Sequence, residues 1–209
     1  MARDYDNSTR AEAALHTRRR IVEQARGLLL QGGYRTMTVA SLAKAAGVSP
    51  QTVYNSVGNK AAVVKAVYDV MLAGDDTPVP MSLRPEFIAM QNAGTRGEML
   101  AAYAALSRRI QASVAPLLAQ LIYAGPASDP IIAELVATIE RERRTGNGHM
   151  VAAMVAKHGL PDGLTAEQVI DTIWTLTSPE NADRLLRRCG WSPERYEDWL
   201  ATCLQATLA

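Results

Sequence analysis

One phenylalanine, and aromatic residues that make up only 5% of the chain, leave little of the large-ring material that fills a β-sandwich. Downstream of residue 85 no alternation of apolar and polar residues marks a half-buried strand. The two cysteines, Cys189 and Cys203, have neither a CxxC partner nor paired histidine spacing, so neither a disulfide framework nor a zinc site is indicated and a reducing cytoplasm fits. No run of about 18 apolar residues exists to span a bilayer, and the N-terminus lacks an apolar signal core, which predicts a protein neither exported nor membrane-embedded. His16, His149 and His158 are scattered, with no acid or nucleophile at telling spacing, so no catalytic residues are assigned and the chain is not read as an enzyme. No cofactor or metal is indicated.

What is there is apolar and helical. Hydrophobic residues make up 48% and charged residues 21% of 209, enough for one large or two small domains with their own cores, and the Ala- and Leu-rich balance points to an all-α fold. The net charge of +1 hides an asymmetry. Residues 1–60 carry 9 Lys and Arg against 4 Asp and Glu, net +5, while residues 61–209 carry 13 against 17, net −4. Such an imbalance directs a phosphate backbone to the N-terminal part.

That basic part contains the most informative stretch, Thr38 to Lys60. Val39, Leu42, Ala43 and Ala46 recur at helical spacing, and Gly47 follows where a left-handed helix end favours a residue without Cβ. Ser49 then offers an N-cap hydroxyl, and Pro50 fits a first helical position that needs no N–H. Two short helices joined by a fixed turn make a helix-turn-helix, whose second helix enters the major groove. Gln51, Thr52 and Asn55 are the expected base readers, since Gln and Asn pair with adenine N6 and N7. Ser49 stands at the same helix N-terminus. Tyr54, Lys60, Arg18, Arg19 and the Thr38 hydroxyl are expected at phosphates. The alternative is a helical small-molecule-binding or enzymatic protein whose N-terminal hairpin is only structural.

In chain order, residues 1–8 read as a polar arm, followed by a helix from Ser8 or Thr9 to Gln31 with Ile21, Val22, Ala25, Leu28 and Leu29 on its inner side, stopped by Gly32 and Gly33. Asn59 caps a helix from Lys60 to Ala73. Residues 74–85, rich in turn formers, mark a domain boundary, giving domains at 1–74 and 75–209. Beyond it, Thr95 and Glu98 form a capping box, and Pro116 is expected to restart the chain into a new helix. Asp129-Pro130 opens a long helix to His158, Thr165 and Gln168 make a second box, and Ser178-Pro179 and Ser192-Pro193 cap the last two helices. The run Arg141 to Arg144 reads as a solvated face.

Residues 17–73 resemble the N-terminal domain of the tetracycline-repressor (TetR) family, in the Arg-rich start, Gly33-Tyr34, the Thr38 cap, Ala43 to Gly47-Val48-Ser49, Thr52-Val53-Tyr54, and Lys60 six residues on. The resemblance implies a homodimeric, DNA-binding transcription regulator, usually a repressor, released from a double-stranded operator by a small molecule. Val57 departs from the Phe usual there, and Gln51 and Asn55 are larger than the residues often found at their positions, so no operator sequence carries over. For the effector, Met99, Tyr103, Tyr123, Met150, Met154 and Trp174 are candidate lining residues of an apolar pocket, though core packing is the plainer reading of each. Apolar stripes on 166–177 (Val169, Ile173, Trp174) and 193–208 (Tyr196, Trp199, Leu200, Cys203, Leu204) are expected at the dimer interface that the family resemblance implies. An internal helix pair is the alternative for both stripes.

Overall fold

The structure, a computed structural model, describes residues 2–77, 79–124 and 129–208, and every regular element among them is helical. In order these are α1 Ala2–Thr36, α2 Val39–Ala46, α3 Pro50–Ser56, α4 Lys60–Ala73, α5 Pro85–Gln91, α6 Arg96–Ala124, α7 Pro130–His158, α8 Ala166–Leu176, α9 Pro179–Ala182 and α10 Pro193–Leu208. A 3-10 turn, Met81–Leu83, precedes α5, and a π-helical turn, Asp183–Arg188, continues α9. Two compact units emerge: Met1–Asp76 with Gln120–Leu135, and Thr77–Ala119 with Val136–Ala209. Residues 120–135, the end of α6 and the start of α7, thus group with the N-terminal helices.

In the first unit, Ile21, Ala25 and Leu29 of α1 are fully buried, and α1 packs on α2, α3 and α4. The helix begins at Ala2 and not at Ser8 or Thr9, so the expected N-terminal arm is helical from its second residue. Gly33 breaks the helix with φ 78° and ψ 175°, a conformation open chiefly to glycine, and helical turns resume to Thr36. The double glycine therefore makes a kink where sequence alone indicated an end.

The short helices are set by their termini. A helix of eight residues and one of seven are too short to persist by backbone bonding alone, so caps and buried anchors carry them. Thr38 and Ser41 exchange side-chain and backbone hydrogen bonds in a capping box on α2. Gly47 adopts φ 62°, ψ 40°, and the Val48 N–H reaches back to the Ala43 carbonyl, which closes the helix end. Ser49 accepts from the Thr52 N–H at 3.1 Å and opens α3. Asn59 accepts from the Ala62 N–H at 2.9 Å and opens α4.

The second unit is built on α6 and α7. The Thr95–Glu98 box forms as expected, with the Thr95 N–H donating to Glu98 and the Glu98 N–H to the Thr95 hydroxyl. Pro116, however, lies inside one continuous helix and starts no new one. Proline removes the bond to the carbonyl four residues back, here that of Ala112, an exposed residue. Arg96 gathers chain ends, donating to the carbonyls of His158 at 2.9 Å and Leu160 at 3.2 Å and, at 3.4 Å, of Leu208. A cation there offsets the partial negative charge of exposed helix C-termini.

The two apolar stripes expected at a dimer interface need correcting. Val169, Ile173, Tyr196, Leu200 and Leu204 are fully buried within their own chain, where α8 and α10 pack on each other. The internal helix pair is therefore the reading that holds for these five. Periodicity shows that a face is apolar and does not say what covers it. Trp174, Trp199 and Cys203, at the margins of the stripes, keep part of their surface exposed.

Candidate nucleic-acid interface

Val53, fully buried, fixes the rotation of α3 and so decides which side chains face outward. Gln51, Tyr54 and Asn55 are exposed, Thr52 is half-buried, and Ser49 is exposed at the helix start. The Gln51 amide donates to the Asn55 carbonyl oxygen at 2.9 Å, one turn along. The pair thus presents a free acceptor, Gln51 Oε1, beside free N–H groups, the combination that meets adenine N6 and N7. The Ser49 and Thr52 hydroxyls lie 2.8 Å apart and are hydrogen-bonded, either one serving as donor. The Tyr54 hydroxyl stands on a residue that is half exposed. Thr38 is exposed at the N-terminus of α2.

The cations expected at phosphates are held by the protein itself. Arg18 donates to the Ser56 carbonyl at 2.9 Å, closing the C-terminal end of α3. Arg19 pairs with Asp76. The Lys60 ammonium sits 3.8 Å from the centroid of the Tyr34 ring, a cation–π contact. The Tyr34 hydroxyl in turn donates to Asp129, at 3.4 Å, and Asp129 caps α7 by accepting from the Ile131 N–H. Burial holds the Lys60 ammonium below the ordinary lysine value, against the attraction of Asp129. Burial and then Asp129 push the Tyr34 phenol up. Sequence reasoning took Asp129 as a cap and Arg18 as a phosphate contact. Their bonds to Tyr34 and to the Ser56 carbonyl emerge only once α1, α3, α4 and the start of α7 come together.

In the second unit, the candidate effector residues Met99, Met150 and Met154 are fully buried, Tyr103 is buried and Trp174 is half-buried. The Tyr123 side chain lies outside the described residues. A polar ladder that sequence reasoning missed runs through this core. Tyr103, Ser107 and Gln111 recur every fourth residue on the inner side of α6, all buried, and Arg143 and Asn147 do so on α7. Polar residues at four-residue spacing amid an apolar stripe were the available signal.

The Tyr103 hydroxyl donates to Asn147 Oδ1 at 2.5 Å. Gln111 donates to the Thr177 carbonyl at 2.6 Å, and Arg143 donates to the same oxygen at 3.0 Å, so the carbonyl of the residue that caps the C-terminal end of α8 is doubly held. Arg143 also grips both Glu140 oxygens, at 2.7 and 2.8 Å. The run Arg141 to Arg144 is therefore not wholly a solvated face: Arg143 turns inward, while Arg144 bridges Glu167 and Asp171. Burial pushes the Tyr103 phenol up to about 12, against the Arg143 charge and a hydrogen bond with Ser107. Burial pushes Tyr196 up also, with Arg143 opposing and Tyr103 adding.

Among the described residues no group of His, Cys, Asp or Glu is arranged to hold a metal, and no helix is long and apolar enough to cross a membrane.

Residues 21–67 match the family model described as bacterial regulatory proteins, tetR family. No curated protein matches the sequence significantly. The fold is similar to that of a TetR-family transcriptional regulator from Rhodococcus sp., at 14% identity over 92% of this chain and 98% of that one, TM-score 0.71. It is similar to another from Syntrophomonas wolfei, at 12% identity over 92% and 94%, TM-score 0.73. A third is the transcriptional regulator FadR from Bacillus subtilis in complex with stearoyl-CoA, at 14% identity over 88% and 96%, TM-score 0.65. These matches are to regulators and not to enzymes. The helix-turn-helix segment thus matches the tetR family model, and over 92% of its length the chain has the fold seen in TetR-family transcriptional regulators.

Proposed function

We propose that the chain is a cytoplasmic repressor whose homodimer binds a palindromic operator and leaves it when a small, largely apolar effector is bound. The observation that carries this reading is the outward face of α3, where Gln51, Tyr54 and Asn55 stand exposed on a helix anchored by one buried valine. Its polar, uncharged side chains suit base edges, and charge is supplied around it. On this reading residues 1–74 are the DNA-binding domain and 75–209 the effector and dimerisation domain. Gln51, Thr52 and Asn55 read bases, with Ser49 beside them. Tyr54, Thr38, Lys60, Arg18 and Arg19 meet phosphates. An Arg has five N–H donors, so Arg18 keeps several beyond the one on Ser56.

Dimerisation follows from the geometry of DNA. Two recognition helices reach successive major grooves, about 34–36 Å apart, only when a twofold axis fixes their spacing. With the inner stripes of α8 and α10 used internally, the contact falls to their outer margins, where Trp174, Trp199 and Cys203 remain partly exposed. A gel shift with the DNA flanking the protein's own gene, together with sedimentation, tests the reading. The wild type is expected to sediment as a dimer at micromolar concentration and Cys203→Glu as a monomer. Operator affinity is expected to fall by about 10³–10⁵ between 50 and 200 mM salt, if six to ten phosphates are neutralised. No shift at low salt with any flanking fragment would refute DNA binding, and a monomeric wild type would refute the dimer.

A further inference from the structure

The end of α6 and the start of α7 group with the N-terminal helices, and both reach the kink in α1. A methyl group added at Gly33 would lie 3.0 Å from Gln120 Oε1 of α6, so the glycine gives that amide its room. The next residue, Tyr34, meets two charges. Its hydroxyl is turned to Asp129 Oδ2 at 3.4 Å, and the Lys60 ammonium stands 3.8 Å from the centroid of its ring. Asp129 uses its other oxygen to cap α7, accepting from the Ile131 N–H at 3.0 Å. One carboxylate thus ties the start of α7 to the ring that carries Lys60.

Lys60 opens α4 directly after the recognition helix and its turn, where the DNA-binding reading places a phosphate contact. A free lysine side chain samples many rotamers, and fixing it on a phosphate costs entropy. The face of an aromatic ring holds an ammonium without using an acceptor lone pair, and among the described residues Lys60 donates no hydrogen bond. Its N–H groups on the side away from the ring therefore remain for a phosphate. A phenol whose hydroxyl leans on a carboxylate is richer in electrons at its face and holds the cation more firmly. The same carboxylate also repels DNA, which acts in the opposite direction. That repulsion is screened by solvent and salt, whereas the ring contact is direct.

On the reading that this chain binds DNA, we infer that Asp129 is a positioning residue for the phosphate contact, fixing the Lys60 ammonium through Tyr34. The start of α7 thereby sets how firmly the N-terminal unit grips the DNA backbone.

Fluorescence anisotropy of the full chain with a labelled duplex from the DNA flanking its own gene, at one fixed salt concentration, tests this. Asp129→Asn keeps a good helix cap and removes the charge, while Tyr34→Phe keeps the ring and removes the hydroxyl. Each is expected to weaken binding about threefold, and the double variant no further than either alone, because both break one link. In a Lys60→Met background neither is expected to change affinity. Proton NMR of the protein without DNA gives a second readout. The Lys60 methylene next to the ammonium, shifted upfield by the ring in the wild type, is expected to move towards the ordinary lysine position in Asp129→Asn. Tighter binding by Asp129→Asn would reduce the carboxylate to a repelling charge, and a loss that persisted in the Lys60→Met background would make its role structural only. An unmoved methylene resonance would mean that Asp129 does not hold Lys60, and each of these results overturns the inference. A wild type that binds no flanking duplex at low salt removes the DNA reading and this inference with it, whereas one that binds while both variants match it removes this inference alone.

Discussion

Val53→Asp is expected to leave operator binding undetectable while the second unit keeps its helical signal. Val53 is the fully buried anchor of α3, a helix of seven residues that cannot persist alone. A buried carboxylate without a partner costs several kcal/mol, a large share of the 5–15 kcal/mol that typically separates a folded domain from its unfolded chain. The Ser49 cap and the Arg18 bond to the Ser56 carbonyl contribute about 1 kcal/mol each and cannot offset it. Circular dichroism should show partial loss of helix, and fluorescence anisotropy with labelled operator should show no binding. A variant that kept operator affinity would mean α3 is not held by this residue.

Glu140→Ala is expected to destabilise the second unit by about 3 kcal/mol, because it strands the guanidinium of Arg143 in the core. The Arg143 side chain is only 11% exposed and that of Glu140 26%, so neither charge is fully hydrated in the folded state. Converting both to Met should recover most of the loss, since an apolar pair of similar volume replaces a buried ion pair at little cost. Urea unfolding of the two variants measures this. A loss below about 0.5 kcal/mol in Glu140→Ala would place the pair among surface salt bridges.

The N-terminal unit was legible because its signals are local. Thr38, Gly47, Ser49 with Pro50, and Asn59 each specify a helix end within four residues, and each cap forms where the spacing put it. The capping boxes at Thr95 and Thr165 read equally well for the same reason. What failed depended on contacts distant in sequence. Leu200 and Ile173 were visibly apolar at helical spacing, but whether a partner chain or the chain's own core covered them was a tertiary question. Arg143 sits in a run of charges that looks solvated until Thr177 and Glu140 are seen beside it. Pro116 normally ends a helix, and here the helix continues through it. In the candidate interface, the identities of Gln51, Tyr54 and Asn55 as outward residues followed from Val53 facing inward, whereas the contact of Lys60 with Tyr34 joins residues 26 positions apart and had no local signature.

The central claim is that α3 reads bases while its surroundings grip the backbone. Selection from a randomised operator library, at one fixed salt concentration, compares the wild type with Gln51→Ala and Lys60→Ala and tests it most directly. Gln51→Ala is expected to lose about 1–3 kcal/mol and to relax preference at particular base pairs, with Asn55→Ala non-additive because the two amides are bonded to each other. Lys60→Ala is expected to weaken all sequences nearly alike. A Gln51→Ala protein whose base preference matches the wild type across the library would contradict the account.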